Sequence, residues 1–252
     1  MHPHPLKGRK KTAPLAEGEK ETKFMDITNQ ALEGKGLLLS SDGRHSPLVR
    51  FFAHLFSYVF HPLFIPLYVT CFLAFIHPSY FTGFSVTGKK KVLLLVAINA
   101  FAFPAITVLL LRGLGFIDSL FLKTQRDRII PYIASGTFFF WTQYVLREQS
   151  YIPRILVAFM FGVFISSSAA LIANIYYKIS MHAIGMGGLV GLFLVIMQQN
   201  TMLMSWPLSL AFLLAGLVCT SRMIVSDHRP KEIYAGLMVG LICQFVGAAI
   251  NL

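Results

Sequence analysis

Seven apolar segments follow one another along the chain between residue 58 and the last residue. A helix needs about 20 consecutive apolar residues to cross the hydrocarbon core of a bilayer. The segments are Tyr58–Ile76, Val92–Leu111, Ile129–Leu146, Ile155–Tyr177, two spans within Ile179–Ser221, and Ile233–Leu252. The pattern predicts an all-α, polytopic transmembrane helical bundle of six to seven spans.

The first 49 residues have a different composition, with eight Lys/Arg, six Asp/Glu and no long apolar run. Such a composition predicts a hydrophilic, largely disordered tail over residues 1–49, followed by the bundle over residues 50–252. The stretch contains no signal-peptide pattern. Ser46-Pro47 is typical of a helix start, because serine caps the first turn and proline fits its first position.

Charge is scarce and unevenly placed in the rest of the chain. Charged residues make up 13% of the sequence, and the net charge of +11 lies mostly in short loops between the apolar segments. These loops can bind anionic groups or simply orient the protein in the membrane. The sequence has no phosphate-binding glycine loop and no nucleic-acid-binding signature, so we expect no nucleic-acid partner. Oligomeric state stays open.

Three cysteines, Cys71, Cys219 and Cys243, lie alone within apolar segments. Without a CxxC pair or a metal-ligand spacing, they are expected to be small buried hydrophobic residues. The sequence therefore predicts no metal site and no cofactor.

Polar residues collect at three junctions between the apolar segments. The first carries Lys123, Arg126, Asp127 and Arg128, the second Lys178, Ser180 and His182, and the third Arg222, Asp227, His228, Arg229, Lys231 and Glu232. Two spans separate each junction from the next, and an even number of spans returns the chain to the same face. We therefore expect all three junctions to meet at one end of the bundle.

These residue types suit an anionic, oxygen-rich substrate such as a phosphate ester. His228 could attack phosphorus as a neutral imidazole while Glu232 holds its other ring nitrogen. His182 could protonate the leaving oxygen and then activate water. If the last helix starts at Pro230, His228 lies outside it, so this histidine and Glu232 would have to meet across the helix cap.

The third junction, Ser221-Arg222-MIVSD-His228-RPK-Glu232, resembles the third motif of the type 2 phosphatidic acid phosphatase superfamily, the lipid phosphate phosphatases. That motif reads Ser-Arg-x5-His-x3-Asp. Ile179-Ser180-Met181-His182 is similar to the family's second motif, Pro-Ser-Gly-His. The first motif, Lys-x6-Arg-Pro, is matched only by Lys123 and Pro131, with Arg128 a nearby substitute for the arginine.

The resemblance implies a metal-independent phosphatase that acts on a phosphorylated lipid in the bilayer through a phosphohistidine intermediate. It implies that the catalytic residues are His228, His182 and Glu232, and that the phosphate is bound by Arg222, Lys123, Arg128, Ser180 and Lys178. Polyprenyl diphosphate is the favoured lipid by analogy with compact members of the family. Glu232 in place of aspartate and Met181 in place of glycine leave an alternative, a catalytically inactive relative that binds or transports lipid phosphates.

Other features keep simpler interpretations. His54, His61 and His77 are assigned no chemistry, and Lys178 is either an anchor at the membrane interface or a phosphate ligand. Gly185, Gly187, Gly188 and Gly191 favour close helix packing. A transporter would place its ionisable residues mid-span, whereas these lie at span ends.

The tail bears on orientation in the membrane. Its lysines and arginines favour a cytoplasmic location, although Lys89–Lys91, Arg147 and Arg154 lie on the opposite face. We expect a bacterial cell-membrane protein whose tail and catalytic end both face the cytoplasm.

Overall fold

A computed structural model describes residues 46–117, 124–199, 204–225 and 228–252. Within those residues the regular secondary structure is entirely helical and comprises eight helices. They are α1 Pro47–Val59, α2 Pro62–Ile76, α3 Val86–Gly113, α4 Gln125–Arg147, α5 Arg154–Tyr176, α6 Met181–Gln199, α7 Ser205–Val225 and α8 Pro230–Asn251. The predicted all-α, polytopic transmembrane fold is confirmed.

Five of these helices, α3 and α5 to α8, are long and apolar enough to cross a membrane. Helices α1 and α2 pass the same test only as a pair, bent by 40° at the residues between them, so the described residues supply five spans, or six if this pair is one broken span. Pro62 explains the break, because proline has no N–H to donate to the preceding turn. The predicted first span, Tyr58–Ile76, thus comprises α2 and the last two residues of α1, with the bend between them.

The predicted span Ile129–Leu146 lies within α4, which starts earlier, at Gln125. Thr124 caps this helix, since its hydroxyl accepts the N–H of Asp127 at 3.1 Å. Arg126, Asp127 and Arg128 of the first junction therefore lie in the first turn of a helix and not in a loop, which corrects the sequence-based boundary. Helix α4 is 23 residues long but is not among the helices apolar enough to span, because polar residues such as Gln143 and Tyr144 lower the mean hydropathy of its uncharged stretch Ile129–Leu146.

The predicted tail lies outside the described residues as far as residue 45. Helix α1 begins at Pro47, as Ser46-Pro47 predicted, so residues 47–49 belong to this helix. Cys71, Cys219 and Cys243 are free thiols within helices.

Helices α6 and α8 pack closely because glycines face the neighbouring backbone. A methyl group on Gly236 of α8 would lie 2.8 Å from the carbonyl oxygen of Ser180, and one on Gly191 of α6 would lie 2.9 Å from that of Leu241. Gly187 is enclosed in the same way, so the predicted close packing is confirmed at Gly187 and Gly191. This contact places the N-terminal ends of α6 and α8 side by side.

Candidate active site

The three polar junctions meet at one end of the bundle, as the even number of intervening spans predicted. The Arg128 guanidinium donates to the carbonyl oxygen of Ile179 at 3.1 Å. His228 Nδ1 lies 3.1 Å from the carbonyl oxygen of Lys178. The N–H of Ser180 donates to the carbonyl oxygen of Glu232 at 3.4 Å. The first and third junctions therefore both contact the backbone of the second.

His228 and Glu232 pair across the start of α8. The helix begins at Pro230, so His228 lies outside it, yet its Nδ1 is 3.0 Å from Oε2 of Glu232. The same oxygen accepts the backbone N–H of Arg229 at 3.2 Å, and the N-terminus of a helix stabilises a carboxylate. Glu232, which has one methylene more than the aspartate of the resembling motif, thus still contacts the His228 ring across the helix cap.

The partners of His228 fix its tautomer. Both groups near Nδ1, the Glu232 carboxylate and the Lys178 carbonyl, are hydrogen-bond acceptors, so Nδ1 carries the proton. Nε2 then holds a lone pair. The side chain is only 4% exposed, and the ring is held in a defined orientation. This is the form in which an imidazole acts as a nucleophile.

Electrostatics keep His228 neutral. Burial lowers the pKa of His228, the hydrogen bond to Glu232 raises it in part, and the positive charges of Arg128 and Arg222 lower it. The pKa of His228 consequently lies below its ordinary value of 6.5. The lone pair on Nε2 is therefore available at neutral pH.

Arg222 lies close to all three histidines of this region. Its charge acts on His61, His182 and His228, and also on Arg128. Arg128 is only 6% exposed, which is unusual for an arginine. Two guanidinium groups that act on each other beside three imidazoles create a positive region, and guanidinium groups bind phosphate oxygens bidentately.

His182 lies in the first turn of α6 and contacts α1. Its Nε2 is 3.0 Å from the carbonyl oxygen of Ser57, so Nε2 carries a proton. Nδ1 is then the nitrogen that can exchange a proton with a ligand. The bond from the Ser180 N–H to the Glu232 carbonyl places the start of α6, where His182 lies, beside the start of α8, which His228 precedes.

The remaining predicted ligands differ in what they offer. Ser180 is fully buried, and its Oγ has no hydrogen-bond partner among the described residues. Lys178 is half-buried and contributes its backbone carbonyl to His228. Lys123 lies outside the described residues.

His61 is the residue that the sequence analysis missed. Its ring faces the ring of His182, edge to face, with 5.2 Å between the centroids. No spacing in the sequence distinguishes His61 from His54 or His77, because the break between α1 and α2 is what brings it to the site.

An apolar cavity of about 340 Å³ meets the site at His61. His61, Pro62 and Met181 line one part of it, and Tyr132, Phe139 and Ile184 line others. Met181 stands at the place where the resembling motif has glycine, and its side chain therefore borders the cavity. The positive region and the cavity share His61 as a boundary residue.

Among the described residues, no group of three or more His, Cys, Asp or Glu side chains is arranged to hold a metal ion. No protein family model, curated protein or solved structure matches this chain.

Proposed function

We propose that this protein is an integral membrane phosphatase that hydrolyses a phosphomonoester or diphosphate on a lipid through a phosphohistidine intermediate. The observation that carries the proposal is the fixed tautomer of His228. Its Nδ1 is held by Glu232 and by the Lys178 carbonyl, which leaves the Nε2 lone pair in a region made positive by Arg222 and Arg128.

In the first half of the proposed reaction, Nε2 of His228 attacks phosphorus and forms a P–N bond. The bond between phosphorus and the lipid oxygen breaks, and the leaving oxygen takes a proton from Nδ1 of His182, which accepts that proton when the phosphate anion binds and offsets the charge of Arg222. Glu232 stabilises the positive charge that develops on His228. Arg222 and Arg128 stabilise the negative charge on the phosphoryl oxygens.

In the second half, Nδ1 of His182 accepts a proton from water, and the water oxygen attacks phosphorus. The P–N bond breaks, inorganic phosphate is released, and His228 returns to its neutral form. With a diphosphate, the other product is the lipid monophosphate.

The substrate is proposed to be a phosphate on an apolar anchor. The positive region lies at the end of a membrane bundle and adjoins an apolar cavity, which suits a ligand with one charged end and one apolar end. Polyprenyl diphosphate is the favoured candidate by resemblance, and phosphatidate and phosphatidylglycerol phosphate share the same chemistry.

The test is phosphate release from these lipids by the purified protein in detergent. We expect His228→Ala to lose turnover by roughly 10⁴-fold or more, as loss of a nucleophile does. We also expect an acid-labile phosphoryl group on the wild-type protein and none on the variant. Activity should persist in chelator and be inhibited by vanadate. Undiminished turnover in His228→Ala would refute the proposal.

A specific observation favours one second candidate, a non-catalytic protein that binds lipid phosphates. Met181 borders the cavity where the resembling motif has glycine, so its side chain could hinder the reacting geometry. Vanadate binding by the wild-type protein without turnover of any of the three lipids would favour this candidate.

We further propose that the protein resides in the bacterial cell membrane with the tail and the site on the cytoplasmic side. Single cysteines at Ser41 and Lys231, in a background lacking Cys71, Cys219 and Cys243, test this with an impermeant thiol reagent on intact cells. We expect no labelling at either position until the cells are permeabilised. Labelling at both would place the site outside, and labelling at Lys231 alone would separate the two faces.

A further inference from the structure

His61 occupies the boundary between the positive region and the apolar cavity. It lies in the break between α1 and α2, half-buried, and lines the cavity together with Pro62. Its ring meets that of His182 at 5.2 Å between centroids, and the charge of Arg222 acts on it. A phosphate bound by Arg222 with its apolar chain in the cavity would therefore pass beside His61.

The local structure decides which nitrogen of His61 can contact a ligand. Nδ1 accepts the backbone N–H of Leu63 at 3.4 Å, at the start of α2. The proton of the neutral ring consequently resides on Nε2. His61 thus presents a hydrogen-bond donor at the distal end of a ring whose proximal end is attached to the backbone.

We propose that His61 is a further phosphate-binding residue of this site, whose Nε2–H donates to a phosphate oxygen of the bound lipid at the point where the apolar chain enters the cavity. The inference rests on the proposed function for its substrate class. Its role is separate from that of His182, because His182 Nε2 is occupied by the Ser57 carbonyl and only Nδ1 can exchange protons. Such a bond binds substrate and transition state alike and therefore acts mainly on KM.

Two substitutions separate the proposed contact from the helix cap. In His61→Asn the side-chain oxygen can replace Nδ1 as the acceptor for Leu63, but the distal N–H is lost. In His61→Gln the amide N–H reaches the distal position, while the cap is weakened.

The chain supplies a matched control in His77. This residue also precedes a proline, and its Nδ1 also accepts a backbone N–H two residues ahead, that of Ser79 at 3.3 Å. It follows the other end of α2. His77→Asn and His77→Gln therefore perturb the same local structure away from the site.

The measurements are vanadate affinity, taken from the thermal shift of each purified variant, and KM and kcat for a lipid phosphate. We expect His61→Asn to weaken vanadate binding and raise KM by about tenfold or more, as loss of a hydrogen bond to a charged group does. We expect His61→Gln to bring vanadate affinity and KM most of the way back to the wild-type values. The His77 variants should leave vanadate affinity and KM unchanged.

The inference is overturned if His61→Asn matches His77→Asn in vanadate affinity and KM. It is also overturned if His61→Asn and His61→Gln weaken binding equally, since His61 would then act only as a cap. Failure of the proposed function has a different signature, turnover retained in His228→Ala. In that case the vanadate affinities still report whether His61 contacts a bound anion.

Discussion

Two His-Pro dipeptides flank the same helix, and only one of them belongs to the polar site. His61-Pro62 begins α2, and His77-Pro78 follows its last residue, Ile76. In both, the imidazole Nδ1 accepts a backbone N–H two residues ahead. The ring of His61 then meets His182 at the site, whereas the ring of His77 packs against Tyr80, with 4.6 Å between centroids.

The burial of basic residues also differs between the two ends of the bundle. At the site end Arg128 is buried and Arg222 is half-buried. At the opposite end of the bundle, Arg147 and Arg154 are exposed. At this end Phe84, which precedes α3, contacts Tyr151, which lies between α4 and α5. The comparison teaches that residue type and local motif do not identify a site. What distinguishes the two ends is whether the charged groups point into the bundle or away from it.

Among comparisons between the two ends, the largest effect is expected from His182→Ala. Loss of the proton donor should reduce kcat by roughly 10²–10⁴-fold, while His77→Ala leaves turnover unchanged. The reduction should be smaller for a diphosphate, because its leaving group needs less protonation. Phosphate release from a lipid monophosphate and a lipid diphosphate measures both. Equal losses of turnover in His182→Ala and His77→Ala would show that the start of α2, where His182 meets His61, does not differ in function from its other end at His77.

A smaller effect is expected from Arg222→Ala compared with Arg154→Ala. Removing a guanidinium that binds phosphate should lower kcat/KM by about 10- to 100-fold, whereas an exposed arginine at the other end should have no effect. Vanadate affinity should fall in parallel in the first variant only. Unchanged kcat/KM in Arg222→Ala would show that the inward-facing guanidinium of Arg222 does not bind the phosphate.

The pH dependence should separate His228 from His77, since burial lowers the pKa of both. The proposed reaction needs neutral His228, so the acid limb of kcat/KM that this histidine sets should lie below pH 6.5. Glu232→Gln removes an interaction that raises the pKa of His228, and we therefore expect the acid limb to move to still lower pH. His77→Gln should leave the limb in place.

The free energy of unfolding also depends on pH through His228 and His77. A folded-state pKa below the unfolded value means that stability is present above about pH 6.5 and is lost as pH falls toward the folded-state pKa. His77→Gln should therefore reduce acid unfolding without moving the kcat/KM limb. A shift of that limb in His77→Gln would contradict the assignment of His228 as the titrating group.

The smallest effect is expected from two glycine substitutions that test the helix contact behind the site. Gly236→Ala places a methyl group 2.8 Å from the Ser180 carbonyl, and such overpacking costs about 1–3 kcal/mol. Tm should fall by several degrees. Gly216 of α7 has no atom within 4 Å of such a methyl group, so Gly216→Ala should leave Tm unchanged or slightly higher. A tolerated Gly236→Ala would show that α6 and α8 can separate.

Several features followed from the sequence because they depend on local chemistry. The helix starts at Pro47 and Pro230 follow from serine capping and from the position of proline. The pairing of His228 with Glu232 across a cap follows from their spacing around Pro230. The convergence of three junctions required only a count of spans.

Other features depend on tertiary contacts that no local pattern reports. His61 was indistinguishable from His77 because each follows an apolar residue and precedes a proline. Lys178 was considered for its ammonium group, yet it is its backbone carbonyl that reaches His228, and the path of a loop decides that contact. The sequence pattern starts α4 too late, at Ile129, because charged residues such as Arg126 and Asp127 are typical of a loop. Thr124 in fact caps a helix that includes them.

The hydrogen bonds at the site also bear on how the protein matures in the membrane. Arg128 bonds to a carbonyl 51 residues further along the chain, and His228 bonds to one 50 residues behind it. Helices that enter a membrane during synthesis do so in chain order, so neither bond can close until its later partner has been inserted. His228, the proposed nucleophile, would acquire its orienting carboxylate only with α8, the last helix described. A nascent chain would therefore remain inert toward lipids until that final insertion.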